Sequence, residues 1–236
     1  MVKKSLKIIL RIFIVIMVIL GLYLSYCFYQ YQQIKADRPL NELVQQIQSN
    51  PDFVTIDEIN ETMIKSVVAT EDRRFYNRNG FDMRAFLRAI STNIQEGEFV
   101  QGGSTIPQQV GKLLYFDHLQ TLEEKVIQVF VMYDLEDQYT KDEILELYLN
   151  SIFFGQGYHG IKQASNGYYQ IDPSELNWAQ SSLLAGVIAA PSAYEPRTNF
   201  DLAKQRQVAV LISLRDVYDL SQQQIDQIYE SEIVIY

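Results

Sequence analysis

The stretch Leu122-Glu-Glu-Lys-Val-Ile-Gln-Val-Phe-Val-Met-Tyr-Asp-Leu-Glu-Asp-Gln-Tyr139 decides the fold class of this chain. Its apolar residues recur at helical spacing, which predicts one buried stripe. The predicted stripe comprises Leu122, Val126, Val129, Phe130, Tyr133 and Leu135. The acidic residues predicted to turn mostly away from it are Glu123, Glu124, Asp134 and Asp137. Because alternation with a period of two is weak along the chain, we expect a mainly α-helical fold.

The same periodicity predicts helices on both sides of this segment. Thr140 is a predicted N-cap, since acidic residues follow it in the first turn of the next helix. A further helix is predicted to open at residues 57–60 and to run toward Glu71. The remaining predicted helices cover residues 83–95, 107–115, 141–151, 160–169, 175–189 and 202–218. Glycine and proline are sparse and no repeat occurs, so we expect one domain over residues 53–236.

The N-terminus predicts a membrane anchor. Four cations, Lys3, Lys4, Lys7 and Arg11, precede an uncharged apolar run at residues 12–29. A helix of roughly 18 residues covers about 27 Å, enough to span a bilayer. We expect residues 1–30 to form a single-pass anchor with a cytoplasmic N-terminus and an extracytoplasmic domain, followed by a helical neck at 31–52. A cleaved signal peptide is the alternative, but no small-x-small cleavage pattern follows the run.

Composition excludes several classes of protein. Acidic residues outnumber basic ones by 29 to 20, which makes nucleic acid an unexpected partner. The single cysteine, Cys27, lies in the predicted span, so no disulfide is expected in the domain. The two histidines, His118 and His159, have no metal-ligand spacing, and a zinc site is not predicted. There is no nucleophile elbow and no P-loop.

Two polar segments carry candidate chemistry. Glu71-Asp-Arg-Arg-Phe-Tyr-Asn-Arg-Asn-Gly-Phe81 places an acidic pair beside aromatic residues. Gly102-Gly-Ser-Thr-Ile-Pro-Gln-Gln109 places a small polar loop before two amides and Lys112. Taken singly, the pair could be a solvated helix face and the loop an ordinary connection. Together they supply a base, a flexible cradle and a cation, which indicates sugar transfer to or from an anionic substrate.

Five segments in this order resemble the motifs of the peptidoglycan glycosyltransferases, glycosyltransferase family 51. They are Ala69-Thr-Glu-Asp-Arg-Arg-Phe75 with Gly80, Gly102-Gly-Ser-Thr-Ile-x-Gln-Gln109 with Lys112, Tyr139-x-Lys-Asp-Glu-Ile-Leu-Glu-Leu-Tyr-Leu-Asn150, Gly155-x-Gly-x-x-Gly-Ile161, and Leu183-Leu-Ala-Gly186 with Pro191-x-x-Tyr-x-Pro196. They cover about residues 55–215. No segment resembling a transpeptidase domain follows, so the layout resembles the monofunctional biosynthetic transglycosylases. The resemblance implies a lysozyme-like, mainly α domain on the outer face of a bacterial membrane.

The resemblance also implies an activity and its residues. The family extends a growing glycan strand from lipid II, as an acceptor sugar hydroxyl attacks a polyprenyl-diphosphate-linked donor. Glu71 occupies the general-base position, and Gln128 stands where the family has a second catalytic carboxylate. The implied substrate-binding residues are Asp72, Phe75, Arg88, Ser104, Thr105, Gln108, Gln109, Lys112 and Lys125. The membrane is an expected partner, and cell-wall synthesis proteins are further candidates.

Several positions depart from the family pattern, mostly on the donor side. The family usually has histidine at Arg78, asparagine at Leu113, arginine at Gln120, Arg-Lys at Glu124-Lys125 and glutamate at Gln180. A glutamine at 128 cannot act as a base or bind a divalent cation as a carboxylate would, which weakens the one candidate cofactor, Mg²⁺ or Mn²⁺. Glu124 reverses a charge expected near the diphosphate, and Arg78 is a candidate replacement for that charge.

Two functions of different classes therefore remain open. One is an active glycosyltransferase with Glu71 as base and with Lys112, Lys125 and Arg88 holding the diphosphates. The other is a degenerate family member that binds lipid-linked precursor or a synthesis partner with little or no turnover. A lytic glycosidase is less favoured, because the motif order matches synthesis and no two-carboxylate arrangement is evident.

Overall fold

The computed structural model describes residues 2–97, 102–116 and 121–236, and helices dominate these ranges. The α-helices are α1 (Val2–Asp37), α2 (Leu40–Gln48), α3 (Glu61–Glu71), α4 (Met83–Glu96), α5 (Ile106–Tyr115), α6 (Leu122–Gln138), α7 (Lys141–Ser151), α8 (Ile161–Tyr169), α9 (Trp178–Val187), α10 (Phe200–Tyr218) and α11 (Gln222–Glu230). Short 3₁₀ turns lie at Ile56–Glu58, Phe75–Asn77 and Pro173–Glu175. Extended pairing in the described ranges is limited to one bridge between Phe153 and His159. The prediction of a mainly α fold is confirmed.

Side-chain caps set the start of many helices. Thr140 caps α7 as predicted, because its hydroxyl accepts the Glu143 N–H and the Glu143 carboxylate accepts the Thr140 N–H. Helix α9 begins later than predicted, since Asn177 accepts the Gln180 N–H and ends the preceding turn. Helix α11 was not predicted, because its segment is mostly polar and buries only Ile225.

The core lies between two groups of helices. Helix α3 packs against α9 and α10, while α5 packs against α6 and α7. Gly111 of α5 faces Val131 of α6, and a Cβ at that glycine would lie 3.0 Å from the valine side chain. Close approach of α5 and α6 therefore needs a residue without a side chain at this point. This packing brings the ends of α3, α5 and α6 together.

Helix α6 buries two faces, so the single stripe predicted for it is wrong. Ile127 and Val131 face the core, whereas Leu122 is 71% exposed and Tyr133 is 52% exposed. Phe130 lies instead against α1, in ring contact with Phe28 and Tyr31. The apolar residues are divided between two neighbours because α6 lies between α1 and α5.

Asp134 of α6 also departs from its prediction. It was expected to face solvent, but its carboxylate accepts hydrogen bonds from the Tyr31 hydroxyl and the Lys35 ammonium of α1. An acid on an apolar face is accommodated because both donors approach it there. Asp134 therefore joins the N-terminal helix to the domain.

Helix α1 runs without interruption past residue 30, where the boundary between anchor and neck was expected. Within the described residues it is long and apolar enough to cross a membrane, over Leu6–Asp37, as fits a membrane anchor. Most of its first part is exposed, while Cys27 and Tyr31 are buried against the domain. Helix α2 then packs on α5 and α7. One helix thus carries both the apolar segment and a docking surface for α6.

Candidate active site

A cleft of about 770 Å³ lies where α3, α5, α6 and α10 meet. Its lining includes four cationic side chains and, among the residues that the structure describes, one carboxylate. The cations are Arg73, Lys112, Lys125 and Arg206, and the carboxylate is Glu71. The remaining lining residues are Thr70, Thr92, Gly102, Ser104, Gln109, Gln128, Ile188, Ala189, Ala190, Tyr194, Ala209 and Ser213. The balance of charge suits an anionic ligand beside a single base.

Glu71 is the last residue of α3 and is held by a relay of hydrogen bonds. Gln109 donates from Nε2 to Glu71 Oε2 at 2.8 Å, and its Oε1 accepts from the Tyr148 hydroxyl at 3.2 Å. Tyr148 is fully buried, so the orientation of the amide is fixed. Burial raises the pKa of Glu71 and the Asp72 charge acts in the same direction, while the Gln109 bond and the Arg206 charge oppose them. A carboxyl with a raised pKa suits general-base chemistry near neutral pH.

Lys125 is positioned by two neutral side chains. Its ammonium donates to Ser104 Oγ and to Gln128 Oε1, each at 2.7 Å. Gln128 in turn donates from Nε2 to the backbone carbonyl of Gln108, so that it ties α6 to α5. Burial lowers the pKa of Lys125 and the charge of Lys112 lowers it further. Two ammonium groups that line one cleft favour binding of an anion.

Four of the predicted substrate-binding residues lie behind the cleft wall rather than on it. Asp72 is buried, and its carboxylate accepts from the Arg78 guanidinium and from the Ile106 N–H, the latter at 3.1 Å. Phe75 is fully buried. Thr105 and Gln108 form the capping box of α5, with the Thr105 N–H donating to Gln108 Oε1 at 2.9 Å. These side chains are committed to the fold by protein partners and hold the cleft residues in place.

Arg88 lies on the exposed surface of α4 and is not among the cleft-lining residues. It stands one turn before Thr92, which does line the cleft, so both occupy the same side of the helix. Arg78 was a candidate for replacing lost positive charge in the cleft, but it is not among the cleft-lining residues. Its side chain is 7% exposed and is surrounded by the carboxylates of Asp72, Asp82 and Glu136.

Arg206 is a cleft residue that was not predicted from the sequence. Its guanidinium lines the cleft, and its positive charge opposes the burial that raises the pKa of Glu71. Its Nε is buried without a hydrogen-bond partner in the described part of the chain. Ala209 and Ser213 follow at helical spacing on the same cleft-facing side of α10. The sequence signal that could have identified Arg206 is a single arginine at helical spacing from two small residues. Arg73 also lines the cleft, and it donates to Ser213 Oγ at 3.2 Å.

Glu124 and Gln180 also depart from the family pattern, and neither is among the cleft-lining residues. The Glu124 carboxylate accepts the Thr121 N–H at 3.0 Å in the capping box of α6. Gln180 caps α9 in the same way. Gln120 and His118 lie outside the residues that the structure describes. Across the described ranges, no three His, Cys, Asp or Glu side chains form a group that could hold a metal ion.

The domain is helical, and its cleft combines four cations with one carboxylate among the described residues, a charge balance that suits an anionic ligand. A family model described as Transglycosylase matches residues 37–215. The chain therefore belongs to the transglycosylase family.

Known proteins with similar sequences are penicillin-binding proteins. Penicillin-binding protein 2D of Bacillus subtilis is 36% identical over 181 residues, which are 77% of this chain and 26% of that protein. Penicillin-binding protein 1A of Neisseria lactamica is 37% identical over 77% of this chain and 23% of its own length. Penicillin-binding protein 1A/1B of Bacillus subtilis is 41% identical over 67% of this chain and 18% of its own length. The chain thus spans about a quarter or less of the length of these relatives.

A solved structure of penicillin-binding protein 1A from Haemophilus influenzae is also similar. It is 25% identical and aligns with 56% of this chain and 17% of its own, with a TM-score of 0.39.

Proposed function

We propose that this chain is a peptidoglycan glycosyltransferase that polymerises lipid II into glycan strands. The observation that carries the proposal is the cleft, where Glu71, held by Gln109, shares a wall with Lys112 and Lys125. A transferase of this kind needs a base for a sugar hydroxyl and cations for a departing diphosphate. Membership of the transglycosylase family supports the reaction class.

In the proposed reaction, the acceptor hydroxyl oxygen attacks the anomeric carbon of the donor and inverts it. Glu71 accepts the hydroxyl proton as the new carbon–oxygen bond forms. The bond between the anomeric carbon and the diphosphate oxygen breaks, and the electron pair leaves with the polyprenyl diphosphate. Lys112 and Lys125 stabilise the negative charge that develops on the leaving group. Gln109 keeps the basic oxygen of Glu71 oriented through its 2.8 Å hydrogen bond.

The neutral Gln128 supports this division of roles. Because it accepts from Lys125 without carrying charge, it positions the ammonium and leaves its positive charge for the substrate. A carboxylate at position 128 would neutralise part of the positive charge of Lys125. Use of Mg²⁺ or Mn²⁺ stays a prediction, which chelation during the polymerisation assay checks.

The proposed location is the outer face of the cell membrane, with a cytoplasmic N-terminus. Helices α1 and α6 run in the same direction, since Phe28 contacts Phe130 and Lys35 contacts Asp134. Toward the N-terminus of α1, Tyr23 packs against the buried core of the domain. The beginning of α6 at Leu122, three residues from Lys125, therefore lies toward the aromatic end of the apolar segment. Aromatic residues favour the membrane interface, so the cleft would open near the lipid headgroups.

The test uses full-length protein in detergent with fluorescent lipid II, and it measures glycan polymer. Glu71→Gln removes the base and keeps the shape, so we expect a loss of about 10²- to 10⁴-fold in rate. Glu61→Gln is the matched control, because Glu61 lies on the same helix with its side chain 75% exposed and pairs only with Lys65 among the described residues. Polymer formation equally insensitive to both changes would remove Glu71 from the role of base.

The alternative function is binding without turnover. The observation that favours it is Gln128, because the described cleft lining then contains one carboxylate where the family pattern has two. The same assay separates the two functions. Absence of polymer together with retained binding of lipid II, or of a phosphoglycolipid that mimics the donor, would support the binding module.

A further inference from the structure

Arg78 is a cation for which the proposed reaction has no use, and its side chain is only 7% exposed. One of its terminal nitrogens pairs with the Asp72 carboxylate, and the other lies 3.5 Å from Glu136 and donates to the Gly80 carbonyl. Its Nε lies 3.7 Å from Asp82. The three acidic side chains are at most 6% exposed. An arginine with three buried carboxylates around it controls the charge state of at least one of them.

Asp72 is the carboxylate that depends on Arg78. Asp82 has a second cation in Arg74, and Glu136 has a second cation in Lys141 at 2.7 Å. Within the described ranges, Arg78 is the one cationic partner of Asp72. Without it, the Asp72 carboxylate would keep only the Ile106 N–H as a hydrogen-bond donor. A buried carboxylate in that position takes up a proton more readily.

Asp72 also connects this cluster to the base. It follows Glu71 in the chain, and it accepts the N–H of Ile106, the first residue of α5. One turn along α5, Gln109 donates to Glu71 at 2.8 Å. Burial is the main cause of the raised pKa of Glu71, and the negative charge of Asp72 acts in the same direction. Both the orientation of Glu71 and its affinity for a proton therefore depend on an ionised Asp72.

We propose that Arg78 is a positioning residue for Glu71. By keeping Asp72 ionised and in contact with the start of α5, it maintains a negative charge beside Glu71 and holds Gln109 in place. This role rests on the proposed function insofar as Glu71 is the base. The charge coupling itself is a property of the folded protein and is measurable without turnover.

The carboxyl of Glu71 reports the local charge directly. Its ionisation midpoint is read from the pH dependence of the side-chain carboxyl ¹³C chemical shift in glutamate-labelled protein, with Glu71→Gln to assign the signal. Arg78→Gln is expected to lower that midpoint by about one pH unit, because Asp72 takes up its proton first and is then neutral beside Glu71. Arg74→Gln is the matched control and is expected to leave the midpoint in place, since it retains the pair between Asp72 and Arg78.

Asp72→Asn provides the second variant and covers the case in which Arg78→Gln does not fold. It removes the same charge with little change in shape, so it is expected to lower the midpoint by a similar amount. The combination of Arg78→Gln with Asp72→Asn is expected to lower it no further, because both changes act through one charge. A simple structural role for Arg78 would not produce this non-additivity. A midpoint unchanged in Asp72→Asn, or raised in Arg78→Gln, would overturn the proposal.

The polymerisation assay supplies an independent readout. With Glu71 intact, the acidic limb of the pH–rate profile is expected to move to lower pH in Arg78→Gln and to stay in place in Arg78→Lys, which keeps the charge. A wild-type protein that makes no polymer contradicts the proposed function, while the ionisation midpoints of Glu71 still decide the role of Arg78. Polymer formed with an acidic limb that is identical in all three proteins contradicts the role of Arg78 alone.

Discussion

Replacing Gln128 with glutamate tests how closely the donor side of the cleft is packed. Gln128 is 1% exposed, and its side-chain amide donates one hydrogen bond and accepts another. Its Nε2 donates to the Gln108 carbonyl, and its Oε1 accepts from Lys125 at 2.7 Å. A carboxylate keeps the contact with Lys125 and loses the one with Gln108. Two acceptor oxygens would then face each other in a buried space.

The cost follows from these contacts. A buried polar group left without its partner costs about 1–3 kcal/mol. The attraction of Lys125 roughly offsets the penalty of burying the new charge. We therefore expect Gln128→Glu to lower the free energy of unfolding by about 1–3 kcal/mol at pH 8.

The loss of stability in Gln128→Glu is expected to depend on pH. A protonated carboxyl donates to the Gln108 carbonyl and restores the missing hydrogen bond, so the pKa of the introduced group is raised in the folded protein. A group with a raised pKa loses its stabilising contribution as the pH rises through that value. The deficit should therefore be smaller at pH 5 than at pH 8.

The assay is thermal unfolding of the full-length protein in detergent, followed by the fluorescence of the single tryptophan, Trp178. Each kcal/mol lost corresponds to roughly 2–4 °C in Tm for a domain of this size. Gln180→Glu is the matched control, because glutamate suits the third position of the capping box of α9. We expect that control to change Tm by about 1 °C or less.

Two results would refute this reasoning. A Tm at pH 8 equal to that of wild type would show that the contact between Gln128 and Gln108 contributes nothing. In the lipid II assay we expect no gain in polymer, since the new carboxylate neutralises Lys125. A gain of about tenfold or more would show that a missing carboxylate limits turnover. Without such a gain, Gln120 and Glu124 become the positions to test next.

Three further predictions concern the base and the anchor. Because burial raises the pKa of Glu71 above the ordinary 4.5, polymerisation should fall on acidification before the pH reaches that value, and a rate that stays flat down to it would contradict this. Asp134→Ala should lower stability by about 1 kcal/mol, measured as Tm, since it removes two partly exposed contacts with α1, whereas the exposed Asp137→Ala should not. A fluorophore on Leu122→Cys, in a background without the native cysteine, should be quenched by doxyl lipids in vesicles. The same label on Leu202→Cys, exposed on α10, should not be, and equal quenching at both would contradict the proposed membrane seat.

Much of the fold was predictable because helical periodicity and caps are local. Thr140 illustrates this, since its capping box is complete within four residues. The two faces of α6 were not predictable, because Phe130 and Asp134 are placed by α1, about 100 residues earlier in the chain. A single helical pattern does not show how many neighbours a helix has.

The same distinction between local and long-range effects applies to the candidate site. Glu71, Gln109, Lys112 and Lys125 were all selected from the sequence, and the structure brings them to one cleft. Arg206 was missed because it lies about 135 positions after Glu71 and reaches the cleft only through the packing of α10 on α3. Whether these residues act as proposed stays a prediction.

The sequence by itself determined the helical class, an apolar N-terminal helix and the order of the motifs, since each depends on spacing along the chain. Only the tertiary structure decided that Arg78 lies among buried carboxylates and that Asp72 faces the start of α5. It also decided that Gln128 holds Lys125 at the cleft. The physical reason is that a side chain's charge and hydrogen bonds act over a few ångströms in space, and packing alone brings distant segments within that range.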